Sequence, residues 1–573
     1  MGRECLFSPH AHTAPAGTSG TAPEVDRVGH AGVLILHGRP PSPPPMRYHG
    51  ASPRGNGGLM DVTVQSRGGG IRHIEAEAGQ TLLEALRKGG VTAFAPCGGA
   101  GTCGGCRILV HDRSGAGYRL ACQTIVEDGM VAVADDLGTL AVAGGDAAAA
   151  SGQATSGADA RFGLAVDIGT TTLALHLVDL GSRSIVASIG RVNPQVAFGG
   201  DVVARIGAAS SAEGMEALCS ALRGGLDDAL AALGRSAGRS IGWEDLERVA
   251  VAGNTVMEHF AAGIDPKPIG AYPFTPSALF GGERRLWQAD GRAGRPVRAY
   301  LAPAVAGYVG GDVTAGLHVA GLTRSPELQL YLDIGTNGEM ALGSSGRIAC
   351  CATAAGPAFE GANIALGMPA LRGAVSAVSI EDGELAVTTV GGAEPVGICG
   401  SGLLDAVACL LDLGIVDETG RLLEAGEANR DLAHRLGREQ GQRACYLDAE
   451  RRVYLTQADV RSVQLAKAAL RAGIGALMDE MHVSCDDVSR VALAGGFGSH
   501  LSAASAARIG LIPAALEPKV DPLGNAAGEG AAAALFPEGR TALERIAASC
   551  SYLELSTSAA FAAHYLDAMG FEP

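Results

Sequence analysis

Four cysteines stand at spacings that suit metal chemistry. Cys97-Gly-Gly-Ala-Gly-Thr-Cys103-Gly-Gly-Cys106 forms one glycine-rich loop, and Cys122 follows in RLACQT. Thiolates are soft ligands, and four of them can surround zinc or an iron–sulfur centre. Glycines let such a loop take positive φ and bring its N–H groups close to bound sulfur. No C-x2-C-x2-C run occurs, which argues against a four-iron cluster. A four-cysteine zinc knuckle is the plainer alternative, and the single glycine-rich loop favours iron over it.

A second chemistry is written twice. LAVDIGTTT (164–172) and LYLDIGTNG (330–338) each run an apolar strand into Asp and then a Gly-Thr turn. A small residue permits close approach, successive N–H groups can face an anion, and hydroxyls add donors. An Asp at the strand end can hold Mg²⁺ through water. Asp167, Gly169, Thr170 and Thr171 in the first string, with Asp333, Gly335, Thr336 and Asn337 in the second, are therefore candidate phosphate and magnesium ligands. Glu339 and Glu360 are candidate ion- or water-positioning carboxylates, with ordinary polar side chains as the alternative reading. WEDLERVAVAGNT (243–255) is echoed by CDDVSRVALAGGF (485–497) in the same order. Repetition of both pairs favours duplicated α/β lobes over a single long sheet.

These residues need scaffolds. DVTVQS and IRHIEAE alternate as two strands across the Gly68–Gly70 turn, TLLEALRK has helical spacing closed by Gly89–Gly90, and RILV and VAVA follow the cysteine loop. Residues 138–160 have a linker composition of Gly, Ala, Ser and Thr. Residues 1–59, rich in Pro, Gly, Ser and His, read as a disordered or non-native extension, with Met60 as an alternative start. The expected units are 60–137, 161–325 and 326–573, the last carrying the second repeat. Asp201 is a helix-cap candidate, and Cys350 and Cys351 read as core. The loops at Gly356–Gly361 and Gly397–Gly402 either line the cleft or only make turns.

The formal charge of −16 over 573 residues argues against a nucleic-acid partner. No run of eighteen apolar residues predicts a membrane helix, and the N-terminus lacks a signal-peptide pattern, so a cytoplasmic location is expected. Thirteen cysteines, an odd number with a tight local group, suit a metal site better than a disulfide framework. A homodimer is compatible with the sequence, though no residue requires one.

The spacing C-x5-C-x2-C with a later fourth cysteine resembles the [2Fe–2S] ferredoxins, with one residue more in the first gap than the plant form. The element order is that of their β-grasp fold. This resemblance implies that Cys97, Cys103, Cys106 and Cys122 ligate a [2Fe–2S] cluster at a potential near about −400 mV. The paired Asp-Gly turns resemble the acetate and sugar kinase, Hsp70 and actin superfamily, whose RNase H-like lobes pinch ATP and Mg²⁺ between them. Ala494-Gly495-Gly496-Phe497-Gly498 matches that superfamily's adenosine motif, which implies nucleoside contacts at Gly495, Gly496 and Gly498.

Taken together, NPQVAFGGDVVARI, GNTVMEHF, DIGTNGEMAL, GPAFEGANI, GICGSGLLDA and LAGGFG resemble the reductive activators of corrinoid proteins, over essentially residues 60–573. That resemblance implies an α/β multidomain chain, a ferredoxin domain joined to two duplicated lobes, that returns a Co(II) corrinoid to Co(I) with ATP. Its partners would be a corrinoid protein and an upstream reductase. Three alternatives remain at this point: an activator of another low-potential enzyme such as a radical acyl-CoA dehydratase, a redox-gated small-molecule kinase, and a non-catalytic Hsp70-like binding module.

Overall fold

The computed structural model describes residues 59–66, 71–91, 93, 95, 99, 101, 105–134, 161–288, 296–495 and 501–571. The expectations for residues 1–58, the Gly68–Gly70 turn and the 138–160 linker lie outside them.

The N-terminal unit is a five-stranded sheet in the order β2-β1-β5-β3-β4. Its strands are β1 (Met60–Ser66), β2 (Ile71–Ala76), β3 (Arg107–Asp112), β4 (Gly115–Leu120) and β5 (Met130–Ala134). β1 runs antiparallel to β2 and parallel to β5, which makes the sheet mixed. Helix α1 (Leu82–Lys88) starts at a capping box. Thr81 Oγ1 accepts from Glu84 N, and Glu84 Oε2 accepts from Thr81 N at 2.8 Å. Such a cap contributes about 1 kcal/mol. The apolar stripe Leu82, Leu83 and Leu86 is buried with Val62, Val64, Ile74 and Val110. At roughly 1.5–3 kcal/mol per buried side chain, this stripe outweighs the cap in holding the helix on the sheet. β4 (GAGYRL) has too little apolar alternation to be read as a strand; its antiparallel pairing with β3 makes it one.

The rest of the chain contains two sheets with one plan. The first has the order β10-β11-β9-β6-β7-β8. It is built from β6 (Phe162–Ile168), β7 (Thr172–Asp179), β8 (Ser184–Val192), β9 (Leu246–Gly253), β10 (Gly282–Gln288) and β11 (Pro296–Leu301). Helices α2 (Val202–Ala208), α3 (Ala212–Ser236), α4 (Thr255–Ala262) and α5 (Gly311–Ala320) accompany it. The second core begins with β12 (Gln329–Ile334), β13 (Gly338–Gly343) and β14 (Ile348–Thr353). A three-stranded sheet, β15 (Ala374–Glu381), β16 (Glu384–Thr389) and β17 (Gly397–Ile398), precedes α6 (Gly400–Asp412). Another, β18 (Leu436–Glu439), β19 (Gln442–Tyr446) and β20 (Tyr454–Thr456), leads into the long α7 (Gln457–Met481). Then come β21 (Arg490–Ala494), α8 (Ala503–Arg508), β22 (Val520–Gly524), α9 (Ala526–Ala533), α10 (Pro537–Ser549) and β23 (Cys550–Tyr552).

The second main sheet runs β22-β21-β12-β13-β14-β23. β6 is parallel to β9 and antiparallel to β7, and β12 is parallel to β21 and antiparallel to β13. The two repeated string pairs are thus the paired central strands of two equivalent sheets. Their residues are apolar on both faces because helices cover both.

Helices α5 and α9 pack against each other and lie between the sheets. Val313 and Leu317 of α5 enter a core with Tyr331 of β12, whereas Ala315 enters one with Ala165, Ala250 and Ala531. Small side chains allow this approach: a Cβ on Gly530 of α9 would lie 2.4 Å from Ala315 O. Among the described residues no helix is long and apolar enough to cross a membrane. Cys350 and Cys351 are fully buried in β14, as expected of core residues.

Candidate functional site

The two Asp-Ile-Gly-Thr turns close in the same way. Gly169 N donates to Thr172 O and Gly335 N donates to Asn337 O, each at 2.9 Å. A Cβ on Gly169 would stand 2.7 Å from Thr172 O, so the first hairpin itself excludes a side chain. Gly335 differs: an added Cβ would meet nothing nearer than Asn337 O at 3.8 Å and Glu360 Oε1 at 4.0 Å. Its open side faces Glu360. That carboxylate also accepts from Thr171 Oγ1 at 3.2 Å and from Thr336 Oγ1 at 2.8 Å, so the two turns face one point.

The first turn is held from behind. Asn193 Nδ2 donates to Gly169 O at 2.9 Å, and Asn254 Nδ2 donates to Thr170 Oγ1 at 3.0 Å while its Oδ1 caps α4. Arg205 Nη2 donates to Thr170 O, and its Nε donates to Gly199 O. The Arg205 side chain is wholly buried, and burial brings its pKa down to about 10, so it stays charged near neutral pH. Asp201 caps α2 through Ala204 N at 2.7 Å, the structural role expected for it.

Carboxylates crowd the same cleft. Asp167 and Asp333 are the penultimate residues of the two central strands, Glu339 is the second residue of the neighbouring β13, and Asp312 lies in the first turn of α5. All four are half-buried. Burial, then the charges of Asp312 and Asp333, holds Asp167 well above the usual carboxylate range, although the Asn525 side chain bonds to it and opposes this. Burial and the Asp333 charge push Asp312 up to about 7. Burial pushes Asp333 up to about 6, against a hydrogen bond from Tyr331 Oη to its Oδ2 at 3.1 Å. Glu339 is raised well above its ordinary value by burial and then by Asp312 and Asp333. Behind them Glu258 is fully buried, and neither of its carboxyl oxygens has a hydrogen-bond partner.

Mutual repulsion of this kind is relieved by a cation. Among the described residues no three His, Cys, Asp or Glu side chains are grouped to ligate one directly. Gly495, after β21, has φ +97°, and a Cβ there would lie 2.7 Å from Asp333 Oδ1. This places the start of the glycine-rich string against the second Asp; Gly496 and Gly498 lie outside the described residues. Asp312, Arg205, Asn525 and Tyr331 join the cleft without having been singled out from the sequence. Gly310-Gly311-Asp312 at the start of α5 carried one local signal, and Asn525, a cap residue before α9, carried another.

In the N-terminal unit Cys106 and Cys122 are buried and close together, with Cys122 N donating to Cys106 Sγ at 3.4 Å. Neither forms a disulfide. Gly99 and Gly101 have φ +110° and +77°, the left-handed backbone expected of the loop. A buried thiol accepting a backbone N–H, beside such a loop, suits an iron–sulfur ligand. Cys97 and Cys103 lie outside the described residues. Of the two segments expected as loops, Gly356–Gly361 is a short helical turn that carries Glu360, whereas Gly397–Gly402 is not a loop: Gly397–Ile398 is strand β17 and Gly402 lies in α6, where a Cβ would be 2.3 Å from Val375 O.

Residues 67–127 match the 2Fe-2S iron–sulfur cluster binding domain, 162–325 the RACo middle region, and 327–573 the C-terminal domain of RACo, the ASKHA domain. The corrinoid activation enzyme RamQ of Eubacterium limosum is 30% identical over 415 residues, covering 71% of this chain and 69% of the relative. The [Co(II) methylated amine-specific corrinoid protein] reductase of Methanosarcina barkeri is 26% identical over 397 residues, covering 61% of this chain and 66% of the relative. A solved reductive activator for corrinoid, iron–sulfur protein superposes with a TM-score of 0.64 at 29% identity, covering 89% of this chain and 98% of that one. The chain belongs to the family of reductive activators of corrinoid proteins, in which a 2Fe–2S domain precedes an ASKHA body.

Proposed function

We propose that this protein performs ATP-dependent reductive activation of a corrinoid protein, converting Co(II) to Co(I) for methyl transfer. The observation that carries the reading is the presence, in one chain of this family, of a three-cysteine loop with a fourth cysteine downstream and of two Asp-Ile-Gly-Thr turns that face one point. When bound, a [2Fe–2S] cluster supplies one electron at low potential, near about −400 mV for the plant type. The upstream reductase we assign returns that electron after each turnover.

Cys97, Cys103, Cys106 and Cys122 are the proposed cluster ligands. Gly169, Thr170 and Thr171, with Gly335, Thr336 and Asn337, bind the phosphates through backbone N–H groups and hydroxyls. Asp167 and Asp333, with Glu339 beside them, would hold Mg²⁺, which would neutralise phosphate charge when bound. Glu360 touches both turns. Gly495, Gly496 and Gly498 leave room for the nucleoside. Domain boundaries at 60–137, 161–325 and 326–573 suit this division of labour.

Making Co(I) is a one-electron step to a very low potential, and each 59 mV of shortfall costs about a factor of ten in equilibrium. Binding free energy at the cleft can offset that shortfall only if the two lobes bind nucleotide differently in different states of the complex. Anoxic mixing of reduced protein with a Co(II) corrinoid protein tests the proposal. The Co(I) absorption band grows with Mg-ATP; an unchanged band with a competent range of corrinoid partners would reject it.

A further inference from the structure

The hydroxyls that the proposed phosphate site requires are already engaged by an anion of the protein itself. Thr171 Oγ1, from the first repeat, and Thr336 Oγ1, from the second, both donate to Glu360 Oε2. The other oxygen, Oε1, is one of the two atoms facing the open side of Gly335. The carboxylate therefore sits between the two turns, bonded to the donors that a terminal phosphate would use. Two anions cannot share those donors without strong repulsion.

The surrounding packing limits what can move. Phe359, next to Glu360, is buried in the second core, and a Cβ on Gly361 would lie 2.7 Å from Met368 N. The backbone is fixed on both sides of Glu360, so rotation of its side chain is the available motion. Burial holds the Glu360 carboxyl above its ordinary value, the Thr336 and Thr171 hydroxyls oppose this, and the buried Arg205 charge also favours the carboxylate from the first-repeat side, which gives it a direction to turn when displaced.

We propose that Glu360 is an internal competitor of the terminal phosphate of a nucleoside triphosphate. It clasps the first repeat to the second through Thr171 and Thr336. Nucleotide binds by displacing it, exchanging one link between the lobes for another. The contact is self-inhibitory: it lowers affinity for triphosphate and makes the state of the clasp depend on occupancy. This inference rests on the nucleotide reading of the cleft given above.

The test is binding of Mg-ATP, followed anoxically with a fluorescent non-hydrolysable analogue, to the full cluster-loaded chain and to its Glu360→Gln and Glu360→Asp variants. Gln keeps the shape and removes the charge; Asp keeps the charge but is one methylene too short to span both hydroxyls. The proposal expects Gln to bind about five- to tenfold tighter than wild type and Asp to bind tighter by a smaller factor. Equal or weaker binding in whichever variant folds overturns it, since a nucleotide ligand or a bystander at this position would give that result. Failure of the wild-type chain to bind the analogue would instead remove the nucleotide reading itself.

Discussion

The hydroxyl of Tyr331 fills the space that a side chain on Gly316 would need: a Cβ at residue 316 would lie 1.9 Å from Tyr331 Oη. Tyr331 is on the central strand of the second sheet, Gly316 is on the helix wedged between the lobes, and the same hydroxyl donates to Asp333. The glycine thus lets the interlobe helix close over the residue that positions the second Asp. Gly316→Ala is predicted to destabilise the protein by about 1–3 kcal/mol through overpacking. It should also weaken Mg-ATP binding, because Tyr331 must leave Asp333. In urea unfolding, Tyr331→Phe should recover part of the Gly316→Ala loss in the double variant; additive losses would deny the coupling.

A pH dependence follows from the crowded carboxylates. Asp333 at about 6 and Asp312 at about 7 both stand above the ordinary aspartate value of 3.8. Folded protein therefore binds these protons more tightly than unfolded protein does, so the stability they contribute is fully present below about pH 4 and is lost as pH rises toward 7. Between pH 5 and pH 8, nucleotide-free protein should lose stability as pH rises, by on the order of a few kcal/mol from these two groups. Asp312→Asn should flatten the slope, as should saturating Mg-ATP. Thermal melts across this range check the prediction, and a slope unchanged by Asp312→Asn would contradict it.

The two sites should fail separately. Asp333→Asn is predicted to keep the visible spectrum of the iron–sulfur cluster while ATP-dependent cobalt reduction falls on the order of a hundredfold. Cys106→Ala should lose the cluster, because a buried thiolate ligand disappears, yet bind Mg-ATP as wild type does. Absorption spectra and nucleotide titration of the two variants distinguish these outcomes from a general loss of fold.

Much of this arrangement was legible because it repeats. The strings around Asp167 and Asp333 are alike, and so are the strands before Asn254 and Gly495, so both lobes and their facing turns could be expected. Asp312, Arg205 and Asn525 have no repeated partner strings, and Tyr331, though inside the repeated string 330–338, stands where the first string has Ala165; tertiary packing brings all four to the cleft. Asn525 sits at a helix start, which reads as a cap, and it does cap α9 through Gly528 N at 2.9 Å. Nothing local marks its bond to Asp167. Glu360 was visible as a carboxylate in a glycine-rich segment, but its contact with Thr171 joins residues far apart in the chain. In the N-terminal unit β4 was missed because a strand of Gly, Ala and Tyr acquires its identity from the edge it pairs with.

The central claim is that nucleotide use and a one-electron transfer to cobalt are one event. Paramagnetic resonance on frozen, anoxic samples tests it most directly, because a reduced [2Fe–2S] cluster and Co(II) each carry an unpaired spin. Reduced protein is mixed with a Co(II) corrinoid protein and frozen with and without Mg-ATP. The account predicts that Mg-ATP makes both signals disappear one for one, with little change in its absence. ATP consumed while both signals persist, or equal loss of both without nucleotide, would contradict it.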